Sequence, residues 1–286
     1  MSGPRIVVAD AAGFCWGVEK ALEKAYVAAE GAEGPIDTLG PLIHNPGVIE
    51  GLRQRGIGLV EEPGLKTEGT VIIRSHGVPR EVMETLEAAD VTVIDATCSF
   101  VKSAQTKAAR LREEGYRVVI LGEADHPEVL GIRSHAGPDS IVVERPEELS
   151  ADLTDELAGR RVGLVVQTTQ SSERLAALVA TLAPIVRELR MHNTICNATE
   201  SRQKAAVEMA RNVDTVLVVG GRTSGNTTRL AELCSAVQPR TYHVEKAEEI
   251  EASWLAGAAV VGVTAGASTP ADQIASVVSR IRELTS

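Results

Sequence analysis

The sequence predicts an α/β protein in which one unit is used three times. Two observations carry this. Short β-branched runs alternate with amphipathic segments along the chain, and three cysteines open three of those segments at matched distances from the polar loops that follow. Alternation of this kind belongs to mainly parallel sheets with helical crossovers, whose functional loops leave the carboxyl ends of the strands.

In chain order, the run "RIVVA" (5–9) predicts a first strand, and "GFCWGVEKALEKA" (13–25) places Cys15 where that strand gives way to a helix. Strands follow in "VIIRSHG" (71–77) and "VTVIDATC" (91–98), and Cys98 opens the helical "VKSAQTKAARLREEG" (101–115). "RVVILGE" (117–123) and "RVGLVVQTT" (161–169) are the next strands, after which Cys196 opens "ESRQKAAVEMARN" (200–212). "TVLVVGG" (215–221) and "AVVGVTAGAS" (259–268) complete the series.

The spacing repeats as well. From Cys15 it is 29 residues to His44, from Cys98 it is 28 to His126, and from Cys196 it is 28 to Ser224. A second strand-end loop in each third carries His76, Thr168 or Ser268. Repetition of spacing and residue class divides the chain into units 1–96, 97–194 and 195–286. Packed about a pseudo-three-fold axis, such units bring their cysteines to the centre. Cys234 has no counterpart and reads as part of a helix face.

Composition excludes several classes. A net charge of −10 and only 2% aromatic residues argue against a nucleic-acid surface, which needs a basic stripe and stacking rings. No apolar run approaches the ~20 residues of a membrane span, and the start Met1-Ser2-Gly3-Pro4 leads at once into the first strand, so no secretory signal is expected. Four scattered cysteines without a C-x-x-C pair fit neither a secreted disulfide framework nor a zinc knuckle. A reducing cytoplasm is the expected compartment.

A thiol at a helix start is favoured as thiolate by the exposed N–H groups and the helix dipole. Taken alone, Cys15 would read as one more small buried hydrophobe. Three converging cysteines with no other soft ligand instead suit an iron–sulfur cluster with three protein-bound irons and one left open, whereas a closed zinc site wants four ligands. Around them His44, His76, His126, Thr168, Thr169, Ser224, Ser268, the amide of Asn226 and several glycine N–H groups make a donor-rich pocket suited to a phosphate or diphosphate. Glu128 is the one carboxylate among these residues and the expected proton carrier.

These motifs, "GFCWGVEKA", "IHNPGVIEGLRQRG", "RSHGVP", "DATCSFV", "HPEVLG", "QTTQS", "CNATESRQ", "SGNTTRL" and "VGVTAGAST", resemble those of the 4-hydroxy-3-methylbut-2-enyl diphosphate reductase family from Cys15 to Ser268. The resemblance implies a trefoil of three α/β units around a central [4Fe–4S] cluster, one per chain, ligated by Cys15, Cys98 and Cys196 with one iron not held by cysteine. It implies Glu128 as the catalytic proton donor, and His44, His76, His126, Thr168, Ser224, Gly225, Asn226 and Ser268 as substrate contacts. It also implies an allylic diphosphate substrate, reductive dehydroxylation to isopentenyl and dimethylallyl diphosphate, and an electron donor such as ferredoxin or flavodoxin.

Two positions depart from the family pattern. Gly225 stands where Ser is common, removing one hydroxyl from the diphosphate loop but keeping a backbone N–H. Glu200 stands where Thr is usual, either near the cluster entrance or as a solvated residue of a first helical turn. Three rival readings of the same residues are a three-cysteine [4Fe–4S] hydro-lyase, which needs no reductant, a non-catalytic iron–sulfur sensor, and a metal-free phosphosugar-binding α/β protein, which leaves the three cysteine offsets unexplained.

Overall fold

The structure is a computed structural model and describes residues 3–31, 34–61 and 68–286; Met1 and Ser2 of the expected start lie outside the described residues. Among the described residues it contains three four-stranded sheets with helices, and every strand pairing is parallel. The chain runs β1 (Arg5–Val8), α1 (Trp16–Gly31), β2 (Ile36–Leu39), α2 (Pro46–Gln54), β3 (Ile57–Val60), β4 (Thr70–Ile73), α3 (Arg80–Glu87) and β5 (Thr92–Asp95). It continues through α4 (Ser99–Glu113), β6 (Arg117–Leu121), α5 (Pro127–Ala136), β7 (Ile141–Val143), α6 (Ala151–Leu157), β8 (Arg161–Val166), α7 (Ser172–Leu182) and β9 (Glu188–His192). The last part comprises α8 (Asn197–Ala210), β10 (Thr215–Val219), α9 (Gly225–Val237), β11 (Thr241–Val244), α10 (Ala252–Leu255), β12 (Val260–Ala265) and α11 (Ala271–Leu284).

The three sheets have one topology, β3-β2-β4-β5, β7-β6-β8-β9 and β11-β10-β12-β1. Chain order alone would group β1 with the strands of residues 36–95. It pairs instead with β12, Arg5 opposite Val260 through Val8 opposite Val263. The first strand thus supplies the fourth position of the third sheet, and each of Cys15, Cys98 and Cys196 follows the fourth strand of a sheet.

By contacts the chain divides into two compact units. One comprises Met1–Glu19, Ile43–Glu50 and Asn197–Ser286; the other comprises Lys20–Leu42 and Gly51–Cys196. In the first unit, Leu217, Val219, Val263 and Ala265 turn toward Ile274, Val277 and Ile281 of α11. Val216 and Val218 turn the other way, toward Ala206 and Met209 of α8 and Leu230 and Cys234 of α9. Cys234 is fully buried, and burial pushes its thiol up to about 12, so it is the inert helix-face residue expected.

The second unit repeats the arrangement. Val119, Leu121, Val162, Leu164 and Val166 pack on Leu175, Leu178 and Leu182 of α7, while Val118, Ile120 and Val165 pack on α4 and α5. Burial of both faces explains the near-continuous Val, Ile and Leu runs. Gly163 makes the close approach of α4 possible, because a Cβ there would lie 2.8 Å from both Leu111 methyl groups. Gly163→Ala is therefore expected to overpack this face and destabilise the protein by ~1–3 kcal/mol, read as a lower urea midpoint at unchanged slope. Among the described residues no helix is long and apolar enough to cross a membrane.

Candidate active site

Each sheet presents two polar loops at the carboxyl ends of its inner strands. In the first kind, the residue after the strand is glycine and its N–H donates to the end of the neighbouring strand: Gly40 to Val60 (2.8 Å), Gly122 to Val143 (2.9 Å), Gly220 to Val244 (3.0 Å). His44, His126 and Ser224 each come four residues later. In the second kind, matching turns close from Gly77 N–H to Arg74 (3.0 Å), Gln170 N–H to Gln167 (3.1 Å) and Thr269 N–H to Gly266 (3.1 Å).

The cysteines hang on these turns. The backbone N–H of Cys98 donates to Ser75 C=O (2.9 Å), that of Cys196 to Thr168 C=O (3.1 Å) and that of Cys15 to Ala267 C=O (3.1 Å). Each thiol is half-buried and directly precedes a helix, with Cys98 as the N-cap of α4. This register makes Thr169 the counterpart of His76 and Ser268. Thr168 is one position earlier than the spacing of residue types suggests, and that shift frees its side chain for a different partner.

The partner is Glu128. Its Oε1 accepts the Thr168 N–H (2.6 Å) and its Oε2 accepts the Thr168 hydroxyl (2.8 Å), in a carboxylate only 1% exposed. Burial pushes Glu128 up to about 7; the two Thr168 bonds pull it down, and the charge of Glu123 adds a smaller upward push. Glu128 stands in the first turn of α5 behind Pro127, and His126 caps that helix by accepting the Glu128 N–H at Nδ1 (3.1 Å). A neutral His126 therefore carries its proton on Nε2. The His76 ring meets His126 edge-on, with centroids 5.5 Å apart.

A carboxyl raised in this way destabilises the fold once it ionises. The native state holds the Glu128 proton up to about pH 7 while the unfolded chain releases it near 4.5, so stability falls as pH rises through that window. The full difference is on the order of 3 kcal/mol. Glu128→Gln is expected to lose this share of the pH dependence, measured as urea midpoints at about pH 5 and about pH 8.

The other unit carries Cys15, His44, Ser224, Gly225, Asn226 and Ser268. Ser224 caps α9, accepting the Thr227 N–H at Oγ (3.4 Å), and Gly225 is the first helical residue. Asn226 is 4% exposed, yet neither its amide nitrogen nor its amide oxygen has a hydrogen-bond partner among the described residues. An unsatisfied buried amide costs about 1–3 kcal/mol per group, and this one stands at a helix N-terminus, where the dipole favours negative charge. The Ser268 hydroxyl donates to His44 C=O (3.1 Å).

Two supporting residues escaped the sequence reading. Asn45 caps α2 by accepting the Val48 N–H (3.2 Å), and its amide donates to Ser268 C=O and Gln273 Oε1, both at 2.9 Å. It thereby ties the His44 loop to the Ser268 turn. Arg202, 4% exposed, donates to Gly13 C=O (2.8 Å) and to Ala198 C=O (3.1 Å), pinning the loop that carries Cys15. Glu200 lies exposed in the first turn of α8, as a solvated residue.

The donor chemistry fits an iron–sulfur cluster. Three thiols occupy equivalent helix starts, each backbone fixed by the same bond, and all are thiols rather than disulfides. Among the described residues no three His, Cys, Asp or Glu are grouped so as to hold a single metal ion.

Comparison with known proteins is consistent over the whole length. The family model described as LytB protein matches residues 6–282. The 4-hydroxy-3-methylbut-2-enyl diphosphate reductase of Geobacter metallireducens is 47% identical over 281 residues, 98% of this chain and 98% of that protein. A solved structure of (E)-4-hydroxy-3-methyl-but-2-enyl diphosphate reductase, described as the terminal enzyme of the non-mevalonate pathway, is 41% identical with a TM-score of 0.69, covering 98% of this chain and 99% of that one. The Plasmodium falciparum E-1-hydroxy-2-methyl-but-2-enyl-4-diphosphate reductase, at 24% identity, shares the fold, with a TM-score of 0.88 over 97% of this chain and 87% of its own.

Proposed function

The chain belongs to the LytB protein family, and we propose that it reduces 4-hydroxy-3-methylbut-2-enyl diphosphate to isopentenyl and dimethylallyl diphosphate. Two electrons and two protons enter, the allylic C–O bond breaks, a C–H bond forms, and water leaves. The observation that carries this reading is the buried Glu128 carboxyl hydrogen-bonded to the Thr168 hydroxyl, poised to hold a proton near neutral pH. A [4Fe–4S] cluster held by Cys15, Cys98 and Cys196 would supply single electrons and a Lewis-acidic iron for the substrate oxygen.

The remaining chemistry belongs to side chains. Ser224, the Gly225 N–H and Asn226 bind the diphosphate at the start of α9, where the helix dipole favours negative charge. Ser268 and the histidines His44, His76 and His126 add donors to the ligand. Anchoring the diphosphate holds the hydroxyl end in one orientation, which removes entropy from the reacting step. Glu128, through the Thr168 hydroxyl, delivers the proton with which the substrate oxygen departs as water. The reaction needs a reductant such as ferredoxin or flavodoxin in a reducing cytoplasm.

The test is anaerobic turnover of the diphosphate with reduced methyl viologen. Isopentenyl and dimethylallyl diphosphate appearing only when reductant is present is the expected result. Dehydrated product without reductant would make the protein a hydro-lyase, and no product with substrate bound would leave a sensor.

A further inference from the structure

We propose that the face formed by α4, Tyr116 and β9 is the docking surface for a small acidic one-electron carrier protein. This rests on the reductive reading above, because only a reduction needs electrons from outside. The chain carries a net charge of −10, and on that background this face is locally cationic. The Tyr116 ring lies between two guanidinium groups, Arg161 at 4.1 Å and Arg190 at 4.6 Å from its centroid. Lys107 and Arg110 approach from α4.

Two carboxylates organise these four cations without cancelling them. Glu114 accepts from Arg110 Nε (2.8 Å) and from Arg190, while Glu188 accepts from Arg161 Nε (2.8 Å) and from the Tyr116 hydroxyl. His192, at the end of β9, registers the surplus. Burial first, and then Lys107, Arg190 and Arg110, hold its imidazole below the usual range against the smaller opposite pull of Glu114. Guanidinium groups clamped on a ring and on carboxylates are ordered before any partner arrives, which lowers the entropic cost of docking.

The position on the chain is equally specific. α4 begins directly after Cys98, and Phe100, Lys107, Arg110 and Glu114 follow at the spacing of one helical stripe, with Phe100 38% exposed near its start. β9 ends at His192, four residues before Cys196. Nine helical residues at ~1.5 Å each separate Cys98 from Lys107, and four extended residues span at most ~14 Å, so a docked carrier reaches two of the three thiols by short routes. An exposed aromatic with a cationic flank suits the small, electrostatically steered complexes of electron transfer.

The experiment compares the parent with Lys107→Glu/Arg110→Glu, driving turnover first with reduced methyl viologen and then with a reduced acidic ferredoxin. The Arg110 side chain is 74% exposed, so the fold should tolerate the change; Lys107→Gln/Arg110→Gln repeats the test without charge reversal. We expect viologen-driven turnover within about twofold of the parent. KM for ferredoxin should rise about tenfold or more, and its dependence on salt between about 50 and about 300 mM should flatten. Unchanged ferredoxin KM and salt dependence would overturn the docking surface. Absence of viologen-driven turnover in the parent would be a failure of the reductive reading instead, and ferredoxin binding by calorimetry to parent and variants would then still decide the surface: loss in the variants supports it and equal binding refutes it.

Discussion

Glu128→Gln is expected to leave iron content and fold intact and to lower turnover by ~10²–10⁴-fold, the usual worth of a positioned general acid. Glutamine has nearly the same shape, and its amide can keep both Thr168 partners, accepting the N–H at the oxygen and donating to the hydroxyl from the nitrogen. What it cannot do is release a proton at neutral pH. The pH profile separates loss of the proton from loss of shape. Because Glu128 is raised to about 7 by burial, the parent holds the proton below that pH and loses it above, so turnover should fall as pH rises through about 7. The residual activity of the variant should lack that limb. Turnover within a few-fold of the parent would remove Glu128 as the acid.

Cys98→Ser is expected to abolish turnover and bound iron together. Serine keeps the backbone N–H to Ser75 C=O and can still cap α4, so the fold has no reason to fail. The oxygen is a far harder ligand than a thiolate and suits an iron–sulfur cluster poorly. Circular dichroism should match the parent while the visible absorption of the cluster is lost. A variant retaining both iron and activity would take Cys98 out of the ligand set.

The α/β class and its three-fold repetition were legible because buried inner strands must be apolar on both faces, and runs such as 117–121 and 215–219 have no other reading. Most edge strands were not, nor was the inner strand β2, whose IDTL carries an aspartate. β3, β7, β9 and β11 are three to five residues long, and "ELRMH" of β9 offers no apolar run, since an edge strand is specified by its neighbour more than by itself. The partner of β1 was equally hidden, because a strand at the start of the chain carries no mark of the sheet it completes.

At the candidate site, residue type singled out the candidate cysteines, histidines and Glu128 but not the side chains that hold their loops in place. Asn45 reaches Ser268 across 223 positions, and Arg202 reaches Gly13 across 189. No local pattern announces such contacts. Thr168 shows the finer limit. Spacing matched it to His76 and Ser268, but the cysteine-to-turn hydrogen bonds shift the match to Thr169 and release Thr168 to Glu128. The one-residue difference places the Thr168 hydroxyl against the Glu128 carboxyl.

The most direct test of the whole account is iron and acid-labile sulfide analysis of the anaerobically prepared protein, with absorption and paramagnetic spectra before and after adding 4-hydroxy-3-methylbut-2-enyl diphosphate. About four irons and about four sulfides per chain are expected, with a spectral change on addition of the diphosphate. A chain that takes up no iron after careful anaerobic reconstitution would contradict this, since Cys15, Cys98 and Cys196 would then hold no cluster.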